Sequence, residues 1–175
     1  MKDIKIIEFK AYCGDHEPVR AILEQENARY VGLDHQIDTY FNVPAGRLKM
    51  REGTIERKLI YYQRPNQAGP KQSDVQLYPV DEQQSPVLKQ LLTQALGIKV
   101  VVDKRRHIYF IDNVKIHLDE VAGLGMFVEV EAIDSEGNMA VEILSQQCNR
   151  LLNQFGVKEA DLVAHSYSDM LLTES

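Results

Sequence analysis

The stretch GMFVEVEA, residues 125–132, decides how this chain is read. As a β-strand it sends Phe127, Glu129 and Glu131 to one face and Met126, Val128 and Val130 to the other, because side chains alternate along a strand. Carboxylates two residues apart on one face lie about 7 Å from each other. At an effective dielectric of about 20 they repel by about 2 kcal/mol. Such a pair persists where water screens it on an open face, or where a cation sits between the two groups.

The same parity runs through other segments. In GRLKMRE (46–52), Arg47, Lys49 and Arg51 share one face and Leu48 and Met50 the other. In VVVDKRRHIYF (100–110), Lys104 and Arg106 fall on one parity and Arg105 and His107 on the opposite one. NVKIHLDE (113–120) sets Lys115, His117 and Asp119 against Val114, Ile116 and Leu118. IKIIEFKA (4–11) sets Glu8 and Lys10 against Ile7, Phe9 and Ala11, while 57–64 places Lys58 and Arg64 with Ile60 and Tyr62. Antiparallel sheets commonly keep one wet face, and charges there need no further purpose. Two features argue for more. Arg47, Lys49 and Arg51 form an unrelieved basic row, which is unfavourable on a sheet unless an anion compensates it. The acidic positions Glu8, Asp119, Glu129 and Glu131 are segregated from that row.

Strand patterning and Gly, Pro, Asn and Asp boundaries predict eight strands, at 3–11, 35–42, 46–52, 57–64, 73–79, 99–110, 113–119 and 126–133. Helical periodicity predicts 16–28, 86–96 and 139–155, with a short final helix from Tyr167 to Leu172. The second has Ser85 as its cap, Pro86 at the first position and a stripe of Leu88, Leu91, Leu92 and Ala95. GLG at 123–125 reads as a tight turn, and PNQAGPKQ (65–72) as the most flexible segment. Suppose that these strands close on themselves, an α+β fold with an eight-stranded antiparallel closed β-barrel and helices packed on the outside. Apolar strand faces would turn outward beneath the helices. Charged faces would line the lumen, acidic in one zone and basic in another, which suits a polyanion with a hard divalent cation such as Mg²⁺ or Mn²⁺.

With 175 residues, the chain is expected to form one domain over 1–175. A net charge of −6 argues against nonspecific coating of nucleic acid. Cys13 and Cys148, with no signal-like segment before them, predict reduced thiols in a cytoplasmic protein, and no apolar run is long enough to span a membrane. Walker, HExxH and metal-finger spacings are absent.

DTYFNVPAGRLKMRE (38–52), DKRRHIYF (103–110) and LDEVAGLGMFVEVEA (118–132) resemble the CYTH superfamily, the triphosphate tunnel metalloenzymes, nearly end to end. HSYSDMLL (165–172) is similar to the close of the class IV adenylyl cyclase branch. The resemblance implies an eight-stranded tunnel and metal-dependent chemistry on a nucleoside or inorganic triphosphate: cyclisation of ATP to cyclic AMP and pyrophosphate, or hydrolysis as in triphosphatases. Binding of nucleotide or polyphosphate without turnover is the remaining alternative. By position it implies Mg²⁺ or Mn²⁺ ligands at Glu8, Asp119, Glu129 and Glu131. It implies triphosphate-binding bases at Lys10, Arg51, Arg64, Lys104 and Arg106, with Arg47 and Lys49 as additions, and catalytic roles for Lys10, Arg51, Lys104 and Arg106. The superfamily's N-terminal ExExK would put a glutamate at position 6, where this chain has Ile6. One metal ion remains supported, a second less so. Neither nucleic acid nor membrane is expected as a partner, and a homodimer is the default assembly. His117 is expected to be structural or to contact phosphate, His16, His35 and His165 to lie at the surface, Cys148 to be buried, and Tyr167 to close one mouth.

Overall fold

The computed structural model describes residues 4–174. Eight strands run through it: β1 (Ile4–Tyr12), β2 (Arg29–Phe41), β3 (Arg47–Gly53), β4 (Arg57–Gln63), β5 (Lys71–Pro79), β6 (Ile98–Ile111), β7 (Val114–Val121) and β8 (Gly125–Asp134). Four helices accompany them: α1 (Glu17–Gln25), α2 (Ser85–Leu96), α3 (Val141–Gln154) and α4 (Tyr167–Glu174). Every neighbouring pair of strands is antiparallel, and the sheet closes in the order β1-β5-β4-β3-β2-β6-β7-β8. The expected barrel is the observed one. β2 begins six residues earlier than its sequence pattern suggested, because Arg29–Asp34 pairs along β6 through an irregularity between Tyr30 and Gly32.

The outward face of β1, β7 and β8 is apolar, as alternation requires. Ile7, Phe9, Ala11, Val114, Ile116, Leu118, Val128, Val130 and Ala132 are buried under Val19 and Leu23 of α1 and Leu144, Cys148 and Leu151 of α3. Fully burying a side chain of this size contributes roughly 1.5–3 kcal/mol, so this layer anchors both helices. Cys148 donates its Sγ–H to the Ile7 carbonyl at 3.0 Å, and burial pushes its thiol up to about 12. α2 differs: Gln84, not Ser85, occupies its cap position, and among its described residues only Ser85 is buried. Its Leu88, Leu92 and Leu96 pack partly on Phe41, Met50 and Val80. No described helix is long and apolar enough to cross a membrane.

Antiparallel order sorts the connections between two ends of the barrel. Those joining β2–β3, β4–β5 and β7–β8 lie at one end, and those joining β3–β4 and β6–β7 at the other. At the β7–β8 turn, Gly123 and Gly125 have φ of 81° and 101°, a region a side chain rarely adopts. α4 lies at this first end, where Tyr167 donates its hydroxyl to Asp119 at 2.7 Å and Arg47 meets Asp169 at 2.6 Å. His16 also belongs here and corrects its expected surface position: it is 4% exposed, with Nε2 3.0 Å from the Phe127 carbonyl oxygen.

Candidate functional site

The lumen holds a cavity with about 910 Å³ of empty space, part of it open to solvent. Strand parity fills it. Glu8 and Lys10 come from β1, Lys49 and Arg51 from β3, Lys58 and Arg64 on either side of Tyr62 from β4 and the residue after it, Lys104 and Arg106 from β6, Lys115 from β7, and Glu129 and Glu131 from β8. Glu56, from the β3–β4 turn, joins them. Cations outnumber carboxylates on this lining, which makes it a host for a polyanion. Arg47 stands apart: it is engaged by Asp169 and Asn66 and lines a smaller cavity beneath α4.

Opposite charges are paired across strands rather than sorted into zones, which corrects the expected separation. Asp38 on β2 accepts from Lys49 at 2.9 Å, from Lys104 at 2.7 Å and from Arg51 at 2.8 and 2.9 Å. Burial pushes the Asp38 carboxyl up, but Arg51, Lys104 and Lys49 outweigh it and hold it well below the usual carboxylate range. Glu56 takes the same part near the other end, ion-paired with Lys115 and lying 3.1 Å from Arg51. Arg64 is ion-paired with Glu8. Asp119 is gripped by two Arg106 nitrogens at 2.7 and 2.6 Å and by the Tyr167 hydroxyl.

Glu129 is crowded by partners: Lys10 at 3.0 Å, Arg106 at 3.2 Å and His117 Nδ1 at 3.1 Å. Burial pushes its carboxyl up, yet Lys10 and Arg106 outweigh it and keep it well below the usual range. Glu131 goes the opposite way. Burial and the nearby Glu129 charge push it up to about 7. Its side chain keeps 19% exposure, and His117 Nδ1 is 4.0 Å away. The pair in GMFVEVEA is thus tolerated because one member is neutralised by cations and the other holds its proton more tightly. Burial and Arg106 push His117 down to about 3, so its ring is neutral at physiological pH.

His117, Glu129 and Glu131 present ligand atoms within 4.8 Å of one another, a candidate metal site among the described residues. The fit to a hard divalent cation is chemical: two carboxylates supply oxygen, and His117 Nδ1 stands 3.1 Å from Glu129 and 4.0 Å from Glu131. Of the other sequence candidates, Glu8 faces Glu131 across the β1–β8 pairing but is tied to Arg64. Asp119 is outside the cluster, its oxygens committed to Arg106 and Tyr167.

Sequence reasoning assigned no role to Asp38, although Asp34, Gln36, Asp38 and Tyr40 share one parity and that signal was readable. Asp34, also buried, accepts from the Ile55 and Glu56 backbone N–H groups at 2.8 and 3.1 Å and so fixes the turn that delivers Glu56. Glu56 itself had no periodic signal, because it sits in a turn. The lumen is also less polar than expected. Ile4, Ile6, Ile60, Val75, Leu77 and Ile133 line it as an apolar wall on β8, β1, β5 and β4.

A closed eight-stranded tunnel with this lining agrees with a comparison of sequences: the CYTH domain pattern matches residues 5–167. The chain belongs to the CYTH domain family. No curated protein matches this CYTH chain. Among solved structures, the PH1012 protein of Pyrococcus horikoshii is 25% identical, with a TM-score of 0.76 over 94% of this chain and 98% of that one. A proposed adenylate cyclase of Vibrio parahaemolyticus is 18% identical, with a TM-score of 0.76 over 95% and 97%. A proposed adenylyl cyclase of Hippeastrum, described as having a dominant triphosphatase activity, is 16% identical with a TM-score of 0.61 over 99% and 95%. The last two share the CYTH fold with this chain.

Proposed function

We propose that this CYTH protein is a metal-dependent enzyme acting on a triphosphate in its lumen, of the class IV adenylyl cyclase kind, converting ATP to cyclic AMP and pyrophosphate. The observation that carries the reading is convergence on one cavity. Lys49, Arg51 and Lys104 are gathered on β3 and β6, and the Glu129–Glu131 cluster stands on β8, diametrically across the ring from β3.

In this reading Lys10, Lys49, Arg51, Arg64, Lys104 and Arg106 bind phosphate oxygens, exchanging part of their present carboxylate contacts for substrate. Arg47, held at the α4 end, contributes from outside the main cavity. Glu129 and Glu131, with His117 beside them, would hold Mg²⁺ or Mn²⁺, with Glu8 the next carboxylate along. When bound there, the ion supplies charge neutralisation and Lewis acidity to the phosphates. The ribose 3′-hydroxyl attacks the α-phosphorus and gives up its proton to water, the bond from that phosphorus to the bridging oxygen breaks, and pyrophosphate departs. Arg51, Lys104 and Arg106 meet the charge that develops on the leaving group.

Hydrolysis is the second reading, favoured by the fold shared with the Hippeastrum protein of dominant triphosphatase activity. It needs the same cavity with water as nucleophile. Incubating the protein with ATP or inorganic tripolyphosphate and Mg²⁺ or Mn²⁺ separates the readings. Cyclic AMP with pyrophosphate is expected; orthophosphate with a diphosphate product would place hydrolysis first. Tight binding with no product would remove catalysis altogether.

A further inference from the structure

The apolar part of the lumen is continuous and is built by register. Ile6 lies directly opposite Ile133 across β1–β8 and opposite Ser73 across β1–β5. Val75 and Leu77 continue the wall along β5, and Ile60 faces Leu77 from β4. These side chains sit at the end of the cavity where β1 begins and β8 finishes, away from α4. A lumen that served only an inorganic polyanion would gain nothing from this surface, since phosphate oxygens are poorly solvated by isoleucine.

Ser73 supplies an independent observation. It is 1% exposed and lines the same cavity, and its Oγ has no hydrogen-bond partner among the described residues. An unmade hydrogen bond on a buried hydroxyl costs about 1–3 kcal/mol, and native proteins rarely keep one without a use. Ile6 then acquires a meaning beyond the loss of an acidic ligand. The residue that departs from ExExK is the centre of an apolar wall with one free hydroxyl beside it.

Resting on the triphosphate reading above, we infer that Ile6, Ile133, Val75, Leu77 and Ser73 form a subsite for the organic part of the substrate. The enzyme therefore takes an organic triphosphate in preference to inorganic tripolyphosphate. The group bound has an apolar face that covers the isoleucines and one polar atom that bonds Ser73 Oγ, as the nucleoside of a nucleoside triphosphate does. Its phosphates reach the cations of β3 and β6 while its organic end stays on β1 and β5.

Calorimetric titration of the full chain with ATP and with inorganic tripolyphosphate, both in EDTA so that neither is turned over, tests this. Tripolyphosphate carries the greater charge, so electrostatics alone favours it, and tighter binding of ATP is expected only if the organic end is held. Ser73→Ala is expected to lower the affinity for ATP about fivefold, to leave tripolyphosphate within twofold and to keep or raise Tm, since it deletes an unsatisfied buried hydroxyl. Ile6→Thr with Ile133→Thr is expected to lower the ATP to tripolyphosphate affinity ratio about tenfold. Leu77→Gln, at a half-buried position, gives the same readout should the double variant fail to fold. An unchanged ratio in Ser73→Ala and Leu77→Gln would overturn the subsite while leaving the triphosphate reading intact. A wild-type chain that bound neither ligand, in EDTA or with Mg²⁺ added, would overturn that reading as well.

Discussion

Asp38 holds Lys49, Arg51 and Lys104 within 2.9 Å of its carboxylate and is 1% exposed. Three cations drawn together at such range would repel one another strongly without it. Removing one partner of a buried ionic group leaves the others uncompensated, which costs about 3–5 kcal/mol. Asp38→Asn is therefore expected to lose about that much in urea denaturation. Tripolyphosphate should raise the Tm of Asp38→Asn by more than it raises that of the wild type, because the ligand then supplies the missing anion. A variant as stable as the wild type would show that water already screens these cations. Sequence parity placed Arg51 and Lys104 on lumen-facing sides without showing what stood against them. Their partner is on β2, and only the order of strands brings β2 between β3 and β6.

Helical periodicity was equally readable in α2 and α3, yet the two helices are bound very differently. In α3, Leu144, Cys148 and Leu151 are buried on the outer face of β1, β7 and β8. In α2, Leu91 of the same predicted stripe is 60% exposed, as is Val87. A stripe of leucines reports that a segment coils at 3.6 residues per turn. How much surface meets it depends on the strands beneath, which the segment does not encode. Leu144→Ala is expected to destabilise by about 2–5 kcal/mol through lost burial and the cavity it leaves. Leu91→Gln should stay within about 0.5 kcal/mol. Chemical denaturation of both variants checks this, and a large loss at Leu91 would mean that another surface covers α2 in solution.

At the level of the whole barrel, closure converts a period-two pattern into an interior. Alternation in β1, β7 and β8 marked two unlike faces but fits an open sheet with one wet face equally well, and it was the resemblance to the CYTH superfamily that pointed to closure. What neither revealed is that the interior neutralises itself. Asp38, Glu56 and Glu129 each answer cations from other strands, while Glu131 is left with the Glu129 charge beside it. The pH dependence of stability follows from that asymmetry. Asp38, Asp119 and Glu129 have folded values below their ordinary ones, so their contribution is present above about pH 4 and is lost as the pH falls through the folded values. Glu131 has a folded value of about 7 against an ordinary 4.5, so the folded chain binds the extra proton between those limits. Its contribution is present below pH 4.5 and is lost as the pH rises toward 7. In EDTA, Tm is therefore expected to fall steeply on the acid side, to peak near pH 5 and to decline from there toward neutrality. Glu131→Gln carries no titrating group at that position and should flatten the decline while leaving the acid limb in place. If thermal melts between pH 4.5 and 7 showed the same slope in the variant, the proton would reside elsewhere, and the tolerance of the Glu129–Glu131 pair would need another cause.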